Sequence, residues 1–451
     1  MASHITESLL FGASFAAPDM MAVFGDENRV RKWLAVEVAL AQAQAELGLV
    51  PAPAALEIAR QARVERLDLH ALGAEIRATA HPLVPVLRAL SQLCGGDAGE
   101  YVHLGATTQD ILDTGLVLQV REAWALVGRD LGAIRGALAA LARRHRHTLM
   151  AGRTHGQQAL PLTFGYKVAV WVDELDRHAE RLREAEPRIF VGNLAGAVGT
   201  FAGLGEQGLG VQSGALARLG LGVPRISWHA ARDRIAEIGG LLVQVTGTLG
   251  KIANEIRLLQ KTEVDELREP FHRGKVGSST MPHKRNPSTA ELVVALARLV
   301  RAAVAPLLEG LVLEHERDAT GWRVEWAALP EAFVYAGAML QHMRGVLAGV
   351  EVREGAMAEN LARLGGLLLS ERVMLALGER VGKQTAHEVV YVVAMRAQET
   401  GVPFREALLA EPRVAAHLDP ATLDRLLDPA DYIGLAARLV ERVVGAPPAG
   451  T

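Results

Sequence analysis

TGLVLQVREAWALVGRDLGAIRGALAAL, residues 114–141, places an apolar residue at every third or fourth position for about eight helical turns without a stop signal. Leu116, Val120, Ala123, Val127, Leu131, Ile134, Leu138 and Leu141 form one stripe. Four more stretches repeat the pattern: Leu162–Glu186, Ile235–Glu263, Ser288–Glu314 and Trp326–Val350. In the second of these the stripe is Ile238, Leu242, Val245, Leu249, Ile252, Ile256 and Leu259. Five long helices with short connectors predict a bundle. Helices of this length exceed the globular mean, so their outer stripes need partners, and self-association supplies them economically. Strand signals are nearly absent, and the fold class is all-α.

Outward from the bundle the helices shorten. Asp26–Gly48 reads as a helix with Val30, Trp33, Leu34, Val38, Ala41 and Ala45 on one face, stopped by Gly48 and Pro51. Residues 53–94 read as several shorter helices, and helices shorten again beyond residue 351. The tail from Ala446 is expected to fray. The division is an N-terminal helical domain over 1–104, a central bundle over 105–350 and a C-terminal helical domain over 351–451. Half of the 451 residues are hydrophobic and 4% aromatic, a composition of packed helices. The net charge of −3, with acidic and basic residues interleaved, gives no basic face for nucleic acid. Cys94 is the single cysteine, which excludes an intrachain disulfide and fits a reducing compartment. MASHITESLLFGASF lacks the basic start and apolar run of a signal peptide. No uninterrupted apolar run reaches the roughly 18 residues of a membrane span. These features predict a soluble cytoplasmic protein.

Four polar islands interrupt the helices. Gly105-Ala-Thr-Thr-Gln-Asp-Ile-Leu-Asp-Thr reads as a capping box, with Thr107 as N-cap and Asp110 three residues on. Thr107, Thr108 and a helix N-terminus would equally bind a carboxylate. In Gly152-Arg-Thr-His-Gly-Gln, His155 is either a satisfied structural residue or a general acid in a flexible, non-helical, donor-rich loop. Gly274–Pro287, GKVGSSTMPHKRNP, is too glycine-rich for a helix and too polar for a core strand. Lys284 and Asn286 could converge on one anion if it is extended. It is not a phosphate loop, because Val276 follows Lys275 where that motif needs Ser or Thr. Glu314-His-Glu-Arg-Asp reads as a solvated charged face. No second His or Cys stands at ligand spacing, so no metal is expected.

Gly277-Ser-Ser-Thr-Met-Pro-His-Lys-Arg-Asn-Pro287 resembles the signature loop of the fumarase/aspartase superfamily, and the other islands follow in that family's order. The resemblance covers nearly the whole chain. It implies three helical domains and a homotetramer around a twenty-helix core, with each active site shared between subunits. The implied chemistry is reversible anti addition–elimination on a small polycarboxylate through an aci-carboxylate, without a cofactor. Carried over, Ser278 is the base, Lys284 and Asn286 hold a carboxylate, and the N–H groups near Met281 assist. His155 is the acid of the C–N lyases and Glu291 the carboxylate that orients it. Thr107, Thr108, Thr154, Gln260, Arg317 and His81 match substrate contacts. The His315-Glu-Arg, Trp322 and Glu325-Trp326 pattern is most similar to the 3-carboxy-cis,cis-muconate cycloisomerase branch. Arg153-Thr-His-Gly-Gln is similar instead to adenylosuccinate lyase, whose phosphate-binding arginines are replaced here by residues such as Ala80 and Trp326. Elimination from an N-substituted aspartate, giving fumarate, is therefore the alternative to lactone closure. A structural protein without turnover is the alternative from another class.

Overall fold

The computed structural model describes residues 4–272 and 274–445, and the tail expected to fray lies outside them. The described chain is all-α apart from two small two-stranded sheets. It divides into two compact units. The first gathers the chain up to Gly132 with His178–Gly250 and Leu292–His342; the second gathers Ala133–Arg177, Lys251–Glu291 and the chain from Met343 on.

In the first unit, helix α1 (Asp26–Glu46) packs against the Ala52–Gln61 and Gly208–Leu219 helices. Their core holds Leu34, Leu40, Ile58, Leu90, Leu216 and Trp228. Val38 and Ala45 are only partly buried, because α1 buries a broader face than its spacing indicates and includes Glu37 and Gln44 in it.

Five long helices carry the chain from unit to unit: α2 (Thr108–Arg144), α3 (Phe164–Ile189), α4 (Asp233–Leu259), α5 (Ser288–Glu309) and α6 (Ala319–Gly349). The predicted stripe of α4 is buried throughout, and so is that of α2 from Val120 to Leu138. This apolar burial is the main stabilising term, at roughly 25 cal/mol per Å². In the first unit, Trp124 of α2 donates to the Leu182 carbonyl of α3 at 3.2 Å. Gly250 of α4 lies so close to α5 that a Cβ there would sit 2.9 Å from Ala297. In the second unit, Arg135 and Asp176 join α2 to α3 through two hydrogen bonds of 2.8 and 3.0 Å.

Several expected boundaries shift: α2 starts at Thr108, before Thr114, and α4 ends at Leu259, not Glu263. α5 ends at Glu309, not Glu314. α6 starts at Ala319, well before Trp326, because Asp318 accepts the Thr320 N–H at 2.8 Å and opens a helix inside the charged stretch. The His155 segment is also not a flexible loop. β1 (Leu149–Thr154) and β2 (Gln157–Thr163) form an antiparallel hairpin with His155 and Gly156 as its two-residue turn. The C-terminal part of the second unit is a helical cluster around Val373, Leu377, Val389, Phe404, Leu408 and Leu423. Among the described residues, no helix is long and apolar enough to cross a membrane.

Candidate active site

The first unit holds one group of the predicted residues at the start of α2. Thr107 is the residue before the helix, and only half of the expected capping box forms. Asp110 accepts the Thr107 N–H at 3.0 Å, while the Thr107 hydroxyl accepts from Arg317 Nη1 at 2.8 Å. Arg317 is fixed further by the Gln109 side chain at 3.1 Å and the Ala197 carbonyl at 3.1 Å. His81 stands beside Thr108, with its Nε2 3.3 Å from the hydroxyl. Its Nδ1 accepts the N–H groups of Leu83 and Val84 at 3.3 and 3.1 Å. A ring nitrogen that accepts backbone donors carries a lone pair, so in the neutral ring the proton lies on Nε2, facing Thr108. The result is a cluster of donors at a helix N-terminus: two hydroxyls, a guanidinium and an imidazole N–H. Such a cluster suits a carboxylate.

The second unit holds the other group. His155 and Gly156 adopt left-handed backbone, with φ of 53° and 77°, the pattern of a tight hairpin turn. The turn lifts His155 into solvent, and Thr154 pairs with Gln157 at the end of the ladder. The hairpin is anchored below by Arg153, which donates to buried Glu266 at 2.8 and 2.6 Å; Asn360 donates to the same carboxylate at 2.9 Å. Among the described residues, neither His155 nor Glu291 has a side-chain partner, and both are exposed. The expected His155–Glu291 pair is therefore not formed within one chain.

The signature loop is held at both ends. Buried Glu269 accepts from Lys275 at 2.7 Å and from the N–H groups of Thr289 and Ala290 at 3.1 and 3.0 Å, so one carboxylate ties the loop's entry to the first turn of α5. Asn286 donates to the Gly277 carbonyl at 2.7 Å and closes the loop. Its amide is thus engaged inside the loop rather than free to meet an anion beside Lys284, which is exposed and has no side-chain partner among the described residues. Gln260 receives the Glu269 N–H at 2.8 Å and donates to the Arg285 carbonyl at 3.1 Å. The Ser278 hydroxyl accepts from the Met281 N–H at 3.0 Å and the Thr280 N–H at 3.4 Å. Donors aimed at that oxygen favour its alkoxide.

Comparison with known proteins decides the family. Residues 13–302 match the family model described as Lyase, and residues 366–443 match Adenylosuccinate lyase C-terminus. The chain is 47% identical over 444 residues, 98% of each chain, to N-acetyl-S-(2-succino)cysteine lyase of Dickeya dadantii (strain 3937). It is 43% identical to 3-carboxy-cis,cis-muconate cycloisomerase of Pseudomonas aeruginosa, over 98% of this chain and 97% of that protein. The crystal structure of fumarate lyase from Mesorhizobium sp. BNC1 superposes with a TM-score of 0.91 at 42% identity, covering 96% of this chain and 99% of the other. The chain belongs to the fumarase/aspartase superfamily. It is a lyase of that superfamily, and elimination chemistry is its trade.

Around the first group of this lyase lies a second layer whose contacts sequence reasoning missed. Asp110, fully buried, also accepts the N–H groups of Ala195 and Gly196 at 3.1 and 2.8 Å and faces His229 Nε2 at 2.8 Å. It thereby fixes the 195–196 segment against the helix start. His103, with φ of 65°, faces buried Glu37 at 2.7 Å. Burial works against charge on His103, but the Glu37 carboxylate outweighs it and holds the pKa above the usual 6.5. Arg232 sits between Asp113 and Glu325, all three with fully buried side chains. Burial raises the Glu325 carboxyl despite Arg232. Asp113 also accepts from Trp322 Nε1 at 2.8 Å. Asp110, Asp113, Trp322 and Glu325 stand in stretches the sequence singles out, and His103 lies beside one of them; Glu37, His229 and Arg232 carried no signal. The partners come from far along the chain.

Proposed function

We propose that this lyase releases fumarate from an S-(2-succino) thioether of a small thiol. In this reading Ser278 takes a proton from the carbon beside one carboxylate. The electron pair passes into the carboxylate, which becomes an aci-dianion held by Lys284 and the loop's N–H groups. The pair then forms the C=C bond as the C–S bond breaks, and the departing thiolate takes a proton supplied by His155. Thr107, Thr108, Arg317 and His81 hold the second carboxylate, with Thr154, Gln260 and Asn286 shaping the rest of the site. Glu291 orients His155 across a homotetramer in which each site draws on several copies.

Trp326 carries the choice of leaving group. A substrate with a nucleotide phosphate needs bidentate cations around this site. The side chain that resemblance to adenylosuccinate lyase assigns to phosphate is an indole here. The 47% full-length likeness to a protein named for a succinylated thiol supports the same choice. Likeness to the muconate cycloisomerase favours the second reading, lactone closure on 3-carboxy-cis,cis-muconate.

An ultraviolet assay separates the two. Fumarate should form from S-(2-succino)cysteine thioethers, and Ser278→Ala should lower kcat about 10²- to 10⁴-fold, the usual worth of a positioned base. Loss of the muconate diene without fumarate from any thioether would replace the proposal with the cycloisomerase reading.

A further inference from the structure

The buried Asp113–Arg232–Glu325 group takes no part in the proposed elimination, yet one amide ties it to the candidate carboxylate site. Gln109, 1% exposed, donates from Nε2 to Asp113 Oδ2 at 3.1 Å and to the His229 carbonyl at 3.0 Å. Both partners only accept, so Nε2 must face them, and Oε1 is turned toward Arg317 Nε at 3.1 Å. Asp113 is itself immobilised: Arg232 donates to its two oxygens at 2.8 and 3.1 Å, and Trp322 Nε1 donates at 2.8 Å. Glu325 holds Arg232 from the other side, accepting from Nε at 2.9 Å. Among the described residues, Gln109 is the only side chain hydrogen-bonded both to this group and to Arg317.

This chain of bonds decides which edge of Arg317 stays open. Its Nε meets Gln109, and its Nη1 meets the Thr107 hydroxyl oxygen and the Ala197 carbonyl. Among the described residues, the Nη2 hydrogens have no partner, and neither does the Thr107 hydroxyl hydrogen. We propose that Gln109 is the positioning residue of the carboxylate site: the buried group fixes its amide, and the amide turns the Nη2 edge of Arg317 toward the substrate's second carboxylate. The inference rests on the reading of Arg317 as a carboxylate ligand and does not depend on the leaving group. A carboxylate remote from the breaking bond is bound alike in ground and transition states. Losing the orientation therefore weakens binding and leaves the chemical step alone.

The test measures kcat and KM for S-(2-succino)cysteine and, by calorimetry, Kd for fumarate. Gln109→Met keeps the length but has no amide, and it should raise KM and Kd about tenfold with kcat within about threefold of wild type. The ammonium of Arg317→Lys has no Nε–H and no edge to turn, so adding Gln109→Met to that variant should change Kd by less than about twofold. A merely structural role would lower the melting temperature and raise Kd equally in both backgrounds. If Gln109→Met does not fold, Gln109→Asn, which draws the amide back by a methylene, carries the same cycle. Unchanged Kd in the Gln109 variant, or an undiminished effect beside Arg317→Lys, would overturn the assignment while leaving Arg317 as a ligand. Arg317→Lys with wild-type Kd, or wild type that binds no fumarate, would sink the carboxylate reading and this assignment with it.

Discussion

Gly277 shows how narrowly one residue can be specified. A Cβ there would lie 2.1 Å from the Lys284 carbonyl oxygen, which is backbone and cannot step aside. The residue next to it is the proposed base. Gly277→Ala should therefore push the two loop strands apart and break the Asn286 bond. Because the loop lies outside the buried core, kcat should fall by at least about tenfold with little change in melting temperature. Unchanged turnover would mean that the loop's closed geometry is irrelevant to the chemistry. His103 offers a pH signature at the same scale. Its pKa is raised in the folded state, so its pairing with Glu37 stabilises fully below about 6.5, the unfolded value, and the gain fades as pH rises through the folded value. The melting-temperature difference between wild type and His103→Gln should accordingly be larger at pH 6 than at pH 9, and a constant difference would remove the charged pair from the account.

At the scale of elements, the hinge between loop and helix is the Glu269 carboxylate. Glu269→Gln keeps the shape and removes the charge that both Lys275 and the N-terminus of α5 meet. The expected cost is about 1–3 kcal/mol locally, seen as faster hydrogen exchange at Thr289 and Ala290. Exchange at wild-type rates would show that shape alone holds the junction. The long helices were legible in the sequence because burial repeats at helical spacing over many turns, as in Ile238 through Leu259. The start of α6 was not, because Glu314–Asp318 are charged and the signal is one cap, Asp318. The β-hairpin was invisible because Gly152 and Pro161 are poor strand formers. What makes the hairpin is a buried acceptor, Glu266, supplied from over a hundred positions away. The loop motif named its own residues, yet nothing local announced that Asn286 would spend its amide on Gly277, or that Asp110 would gather Ala195, Gly196 and His229.

For the whole molecule, the telling feature is that His155 and Glu291 stand in solvent without side-chain partners among the described residues of one chain. If each active site combines residues of different copies, two dead variants can repair one another. Ser278→Ala and His155→Gln, unfolded and refolded together, should recover up to about a quarter of wild-type sites in a random mixture of copies. A mixture as inactive as its components would place all catalytic groups of a site on one chain. The solitary His155 also bears on how much protein must be present. An acid that acquires its carboxylate only from a neighbour makes turnover depend on protein concentration: on dilution, specific activity should collapse while each chain keeps its helices, so that scarcity alone silences the enzyme.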